Sequence, residues 1–282
     1  TTLFRSVLHG TNRMGINCKF PEVKSIEDIK ARVKEVAERV PPGTWIRGWG
    51  YDHTKLAEGR HPGRDDLDEV APRHPVIIVR TCAHISAVNS RALELAGIDD
   101  NTPDPPGGSI ERGPDGRPTG VLKETAHMGM LKVASFEARE LREAISVAAT
   151  ELVSLGITSV HDAGAYGAVQ FRALQQAVEE GELPLRVYSM VFSLIDNLQF
   201  IEEFDKAGPV TGFGNKRLRI GPVKVMTDGS SSGPTAATRE PYSSDPTDRG
   251  ILYLELDELT STSGSFTPRA FSLPPTPWAT GR

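Results

Sequence analysis

Between residues 121 and 226, apolar runs of strand length alternate with stretches of helical period, and no other feature limits the fold as much. Helical patterns occupy 121–133 and 136–155. A strand at 157–161, a helix at 169–180, a strand at 185–192, a helix at 194–207 and a strand at 218–226 follow, and another strand at 251–254 comes after a long loop. Strands joined by helices of ten or more residues pair in parallel, because the crossover needs that length. Successive units of this kind, with polar tips after each strand, fit part of a (β/α) barrel. A doubly wound sheet is the competing α/β reading. No glycine-rich phosphate loop follows any strand, which argues against a Rossmann dinucleotide site.

The first 120 residues have a different texture. Ser25-Ile26-Glu27-Asp28 is a helix N-cap with a carboxylate three residues on, and the helix runs to about Val40, where Pro41-Pro42-Gly43 stops it. A strand is expected at 45–50, followed by Tyr51-Asp52-His53 in a loop. A short helix begins at Arg64. Residues 75–80 read as a buried strand that Thr81-Cys82-Ala83-His84 continues. Asn89 caps a helix over 90–96, closed by Gly97. Pro114-Asp115-Gly116 is a turn between 110–112 and 118–120.

The 282 residues carry a formal net charge of −5, which argues against nucleic acid and an anionic membrane surface as partners. No apolar run is long enough to cross a bilayer. Cys18 and Cys82 have no zinc-ribbon or redox spacing and give no disulfide framework, so a cytoplasmic location is the default expectation. The chain opens Thr1-Thr2 without a methionine, and a preceding segment is expected.

The residues that draw attention are polar groups at strand ends. Lys224 lies between Val223 and Val225 near the end of an apolar strand that closes on Thr227-Asp228-Gly229. An unpaired ammonium there loses hydration, so either its head reaches solvent along an apolar stem or the site uses a cationic or modified lysine. His161 and Asp162 end another strand, where an acid/base or metal role and a structural histidine are both open. His84 follows a strand in the same way. Glu124 is expected on a solvated helix face. Asp228, in its turn, is a further candidate. There is no His-x-His and no His-Glu-x-x-His, so spacing alone derives no metal site. Gly-x-Ser-x-Gly is absent too.

Several stretches, in this order and spacing, resemble the YtcJ-like, amidohydrolase-3 branch of the metal-dependent amidohydrolase superfamily, of the N-substituted formamide deformylase kind. They are Gly48-Trp49-Gly50-Tyr51-Asp52, Leu67-Asp68-Glu69-Val70-Ala71-Pro72, Val79-Arg80-Thr81-Cys82-Ala83-His84 with Val88-Asn89-Ser90-Arg91-Ala92-Leu93, Asp115-Gly116-Arg117-Pro118-Thr119-Gly120-Val121-Leu122, Gly156-Ile157-Thr158-Ser159-Val160-His161-Asp162-Ala163-Gly164 and Val223-Lys224-Val225-Met226-Thr227-Asp228-Gly229. The resemblance implies a (β/α)8 TIM barrel, incomplete here, with an inserted α+β cap subdomain. It implies hydrolysis of amide or formamide C–N bonds by a metal-activated water, with one or two divalent metal ions, zinc foremost. Lys224 matches the family's carboxylated bridging lysine. His84 is the candidate for substrate binding, and the expected partner is a small-molecule amide, with a homodimer as one expectation.

The sequence also departs from that pattern. The His-x-His of the first barrel strand is missing from Thr1-Thr2-Leu3-Phe4-Arg5-Ser6, and His9 lies too late to replace it. After Thr260 the chain loses both helical and strand period. Taking the last base of each codon with the first two of the next, from Phe266 on, permits His-Ala-x-Gly-Phe-Gln-x-Ala-x-His-Ala-Met-Gly-Asp-Arg, the pattern of the family's fifth strand. A frameshift after about Thr260 is therefore a hypothesis, which sequencing of the encoding DNA decides. The expected organisation is the start of the barrel at 1–24, the cap at 25–123, barrel units at 124–260 and an aberrant, disordered tail at 261–282. Such a chain is expected to be a weakly active or inactive fragment. A non-catalytic binding or pseudo-enzyme domain is the alternative, and a metal-free enzyme using His161 and Asp162 as acid and base is a third reading.

Overall fold

A computed structural model of the chain describes residues 2–4, 6–163, 167–192, 197–231, 233, 235–243, 246–255, 257 and 260. The expected tail at 261–282 lies outside the described residues. In chain order the elements are β1 (Thr2–Phe4), α1 (Ser6–Met14), β2 (Ile16–Asn17), α2 (Ile26–Ala37), β3 (Ile46–Tyr51), α3 (Arg64–Val70), β4 (Val76–Arg80), β5 (Ile85–Val88), α4 (Ser90–Leu95), β6 (Gly108–Arg112), β7 (Pro118–Glu124), α5 (Thr125–Val133), α6 (Ala138–Ser154), β8 (Ser159–Asp162), α7 (Ala168–Glu179), β9 (Arg186–Val191), α8 (Asn197–Lys206) and β10 (Leu218–Val223). They form an α/β chain of two compact units. Of the described residues, those within 1–11, 136–226 and 255–260 make one unit and those within 12–135 and 227–254 the other. Strand β7 runs directly into α5, and Ala126 and Met130 of that helix share a core with Ile110 and Leu122.

The first unit is built on a parallel sheet in the order β1-β8-β9-β10. Helix α6 buries Leu141, Ala144, Ile145, Ala148, Ala149 and Leu152, a stripe at helical spacing. That stripe and the apolar side of α7 pack on Val160 of β8 and Val187 of β9. Gly10 of α1 is required where it stands. A Cβ there would lie 1.8 Å from the carbonyl oxygen of Ala144, so only glycine lets these backbones approach so closely.

The second unit carries a mixed sheet in the order β2-β3-β4-β5-β7-β6, parallel as far as β4 and antiparallel beyond it. Helix α2 starts on the expected capping box, in which Ser25 and Asp28 each accept from the other's backbone N–H. Asn89 does more than cap α4. Its Oδ1 accepts from Ala92 N and Val76 N, and its Nδ2 donates to the carbonyls of His74 and Ala71, which ties two loops to the sheet from a fully buried position. The Pro114-Asp115-Gly116 turn does join two antiparallel strands, β6 and β7, with Gly116 at φ 79°.

Four sequence expectations are corrected. Residues 121–124 are strand, because the ladders to β5 and β6 hold them extended, and the helix begins only at Thr125. Residues 81–84 do not continue β4 but reverse it. Ala83 N–H bonds back to the Arg80 carbonyl, Ala83 takes φ 63°, and β5 returns antiparallel. Strand β10 ends at Val223, which leaves Lys224 just past its end. The expected strand at 251–254 makes isolated bridges, Ile251 to Ala236 and Leu252 to Asp228.

Candidate functional site

In the parallel unit Lys224 follows the carboxyl end of β10, the edge at which parallel α/β sheets place their ligand-binding groups. Its backbone N–H bonds to the Val191 carbonyl at 3.0 Å, which continues the pairing with β9. Its side chain is half-buried, and the ammonium stands 4.5 Å from the centre of the buried Phe192 ring. A cation over an aromatic face is stabilised by about 1 kcal/mol.

His161 and Asp162 are separated by the pleat. Neighbouring residues of a strand point to opposite faces. Asp162 is fully buried on the helix side, where it accepts from Gln170 Nε2 of α7 at 3.2 Å. His161 lies on the other face, its ring centre 5.1 Å from that of Tyr188. That face lines an open cleft of about 900 Å³ with Arg186, Arg217, Arg219 and Lys216. The two side chains do not meet, so they cannot serve one substrate as an acid/base pair. His9 pairs with Glu151 of α6 at 3.0 Å.

The second unit gathers polar side chains around His84. Glu124 is fully buried and is not on the solvated helix face expected of it. Leu122 and Glu124 share a face of β7, so the carboxylate points where Leu122 does, into the unit. Its Oε2 accepts from His84 Nδ1 at 2.8 Å and from the Tyr253 hydroxyl. Burial raises the carboxyl's pKa, but the His84 and Tyr253 hydrogen bonds, with the Thr235 hydroxyl close by, outweigh it and hold the group below its ordinary range. Burial, and then the negative Glu124, pushes the Tyr253 phenol far up, so it remains a donor. Oε1 has no hydrogen-bond partner among the described residues.

One turn of α5 further on, His127 is 1 % exposed, and neither of its ring nitrogens is hydrogen-bonded among the described residues. Burial, with nearby His84, brings its pKa down to about 4, and the ring is neutral. Backbone strain is concentrated in the same place. The non-glycine residues of the described chain with positive φ are Ala83 at 63° and Glu124 at 55°, and Glu124 N–H bonds to the His84 carbonyl at 2.9 Å. Left-handed conformations of non-glycine residues cost about 1–3 kcal/mol each and cluster at functional sites.

The Tyr51-Asp52-His53 cluster has the opposite hydrogen-bond sense. Arg80 donates to His53 Nδ1 at 3.1 Å and to Asp52 at 2.9 Å. The Tyr51 hydroxyl reaches His61 Nδ1 at 2.8 Å, and the His53 and His61 rings stack with centres 4.0 Å apart. Burial takes the His61 pKa down to about 3, so that ring is neutral. Asp228 organises its own loop. It accepts from Ala237 N at 3.1 Å and from the Thr227 hydroxyl at 3.3 Å. Gly229 beside it would place a Cβ 2.3 Å from the Thr235 carbonyl oxygen.

Of the sequence candidates, His84 is brought against Glu124, and Asp162 turns away from His161. Tyr253 and His127 escaped the sequence reading. The one signal for His127 was its spacing of three from Glu124 on a helix. Among the described residues no group of three or more His, Cys, Asp and Glu side chains is placed to hold a metal ion. The described residues do not by themselves assemble a metal's donor set. Also among the described residues, no helix is long and apolar enough to cross a membrane.

A parallel sheet interrupted in sequence by a mixed-sheet insertion makes this an α/β chain. Two solved structures share this architecture. An uncharacterized metal-dependent hydrolase from Pyrococcus horikoshii OT3 matches with a TM-score of 0.67 and 28% identity, over 93% of this chain and 49% of that one. A second, from Pyrococcus furiosus, matches with a TM-score of 0.62 and 27% identity, over 93% and 51%. The model of the amidohydrolase family matches residues 9–263, and the chain belongs to that family. It is 32% identical to the putative amidohydrolase YtcJ of Bacillus subtilis (strain 168), over 86% of this chain and 45% of that protein. It is 29% identical to the N-substituted formamide deformylase of Arthrobacter pascens, over 78% and 41%. The chain thus spans about half the length of the relatives it matches.

Proposed function

We propose that the protein hydrolyses a C–N bond of the amide or formamide type in a small molecule, with one or two divalent metal ions, zinc foremost, activating the attacking water. The observation that carries this reading is Lys224 at the carboxyl end of β10 in a chain of the amidohydrolase family. Its relatives include an N-substituted formamide deformylase, which supports the bond type. In this reading Lys224 would be among the residues that hold the metal, as the carbamate formed when its neutral amine adds to carbon dioxide and loses a proton. His84 faces the substrate, with Glu124 behind it.

The test supplies the purified protein with zinc and bicarbonate and follows formate release from N-benzylformamide, with metal content measured on the same material. Formate release with stoichiometric metal, lost in Lys224→Ala, is the expected result. A metal-free protein that releases no formate would sink the reading. Saturable binding of the formamide without turnover would instead favour a non-catalytic binding domain of the same fold.

A further inference from the structure

The network around His84 fixes which of its ring nitrogens is free. Glu124 is ionised, so its Oε2 can only accept, and His84 Nδ1 must be the donor in their 2.8 Å hydrogen bond. Tyr253 donates to the same oxygen, which leaves the carboxylate no reason to turn away. With the proton on Nδ1, the lone pair of the neutral ring lies on Nε2, and Nε2 makes no hydrogen bond among the described residues. The neutral, buried His127 adds no competing charge next to the pair. Left-handed backbone at Ala83 and Glu124 aims both partners. A purely structural hydrogen bond needs neither a buried carboxylate nor two strained residues, because an apolar pair of the same shape would pack there without desolvating a charge.

We propose that Glu124 and Tyr253 are positioning residues that hold His84 as its Nδ1–H tautomer, so that Nε2 accepts a hydrogen bond from the N–H of an N-monosubstituted amide. This rests on the reading of His84 as substrate-facing. It adds a specificity. An amide carrying hydrogen on nitrogen is taken, and an N,N-disubstituted amide, which has no donor, leaves Nε2 unpaired and is rejected.

Ring-nitrogen NMR of the labelled protein gives the tautomer directly, and titration with N-benzylformamide and with N-benzyl-N-methylformamide gives the selectivity. The expected result is the Nδ1–H form for His84 and about tenfold tighter binding of the formamide that has an N–H. In Glu124→Gln the tautomer shifts toward Nε2–H and the preference falls below about threefold. Should that variant not fold, Tyr253→Phe, with an unchanged far-UV spectrum, must still lower the preference. An Nε2–H tautomer in the wild-type protein, equal affinity for the two formamides, or binding of neither at His84 overturns the proposal. Formate release, read in the same samples, separates the two claims. Turnover without preference rejects the positioning role alone, and preference without turnover rejects the hydrolase reading alone.

Discussion

The two units place polar groups by different means. In the parallel unit the position of Lys224 follows from backbone pairing, because β10, after a register shift between Ile220 and Val223, pairs again with β9 at Val223 and delivers the next residue to the carboxyl edge. In the second unit the position of His84 depends on a reversed turn, a left-handed residue at the end of β7 and a tyrosine more than a hundred residues further along the chain. Backbone pairing sets the first, and side-chain contacts between distant segments set the second. The second arrangement therefore carries more strain and more buried polarity, and it should respond more sharply to single changes.

The largest expected effect in that comparison is Glu124→Ala. It strands the His84 and Tyr253 donors in a buried site and should destabilise the second unit by about 3 kcal/mol, read by urea unfolding. A loss below about 1 kcal/mol would mean that the network is loosely made. Gly10→Ala is the counterpart in the parallel unit. Its Cβ meets the Ala144 carbonyl oxygen, and α1 and α6 must separate, at a loss of about 2 kcal/mol. An unchanged thermal midpoint would show that these helices slide apart freely.

Acid should separate the units further. The His127 pKa is about 4 in the fold against an ordinary 6.5. Between these values the unfolded chain binds a proton that the folded chain refuses. Stability therefore falls as pH drops from 6.5 toward 4, by at most about 3 kcal/mol. The depressed Glu124 carboxyl acts in the same direction at lower pH. Its contribution is complete above its ordinary value of 4.5 and is lost as pH falls through its lower folded value. His127→Leu should flatten the slope between pH 6.5 and 4, and an unaltered slope would place the acid sensitivity elsewhere. The smallest effect is expected from Ala83→Gly, which relieves the left-handed turn before His84. Relief of strain should at least offset the greater freedom of the unfolded glycine chain, for a net gain of about 0.5 kcal/mol. A loss would show that the alanine methyl makes a contact worth more than the strain.

What could be read in the sequence follows the same division. Helices α6 and α7 and strands β8, β9 and β10 were legible because local periodicity and tertiary burial agree there. The Ser25 capping box, the Asn89 cap and the Pro114-Asp115-Gly116 hairpin were legible because turn and cap chemistry is local. The strand identity of residues 121–124 was not. Val121-Leu122-Lys123-Glu124 suits either period, and only pairing with β5 and β6 decides it. That misreading put Glu124 on a solvated face. The hairpin held the missing clue, since extending β7 past Gly120 carries the strand to Glu124. Reversal at Ala83 had no sequence signal, because alanine gives no warning of positive φ. Tyr253 sits in a loop without period, and nothing local links it to a carboxylate so far away in the chain.

The central proposal gives Lys224 a part in the reaction chemistry and His84 a part in recognition of the amide. Steady-state hydrolysis of N-benzylformamide by Lys224→Ala and His84→Gln, measured side by side with the wild-type protein, tests it most directly. The account predicts that Lys224→Ala lowers kcat by about a thousandfold, and that His84→Gln raises KM by about tenfold with kcat held within about threefold. Full kcat in Lys224→Ala, or a collapse of kcat with unchanged KM in His84→Gln, would contradict it.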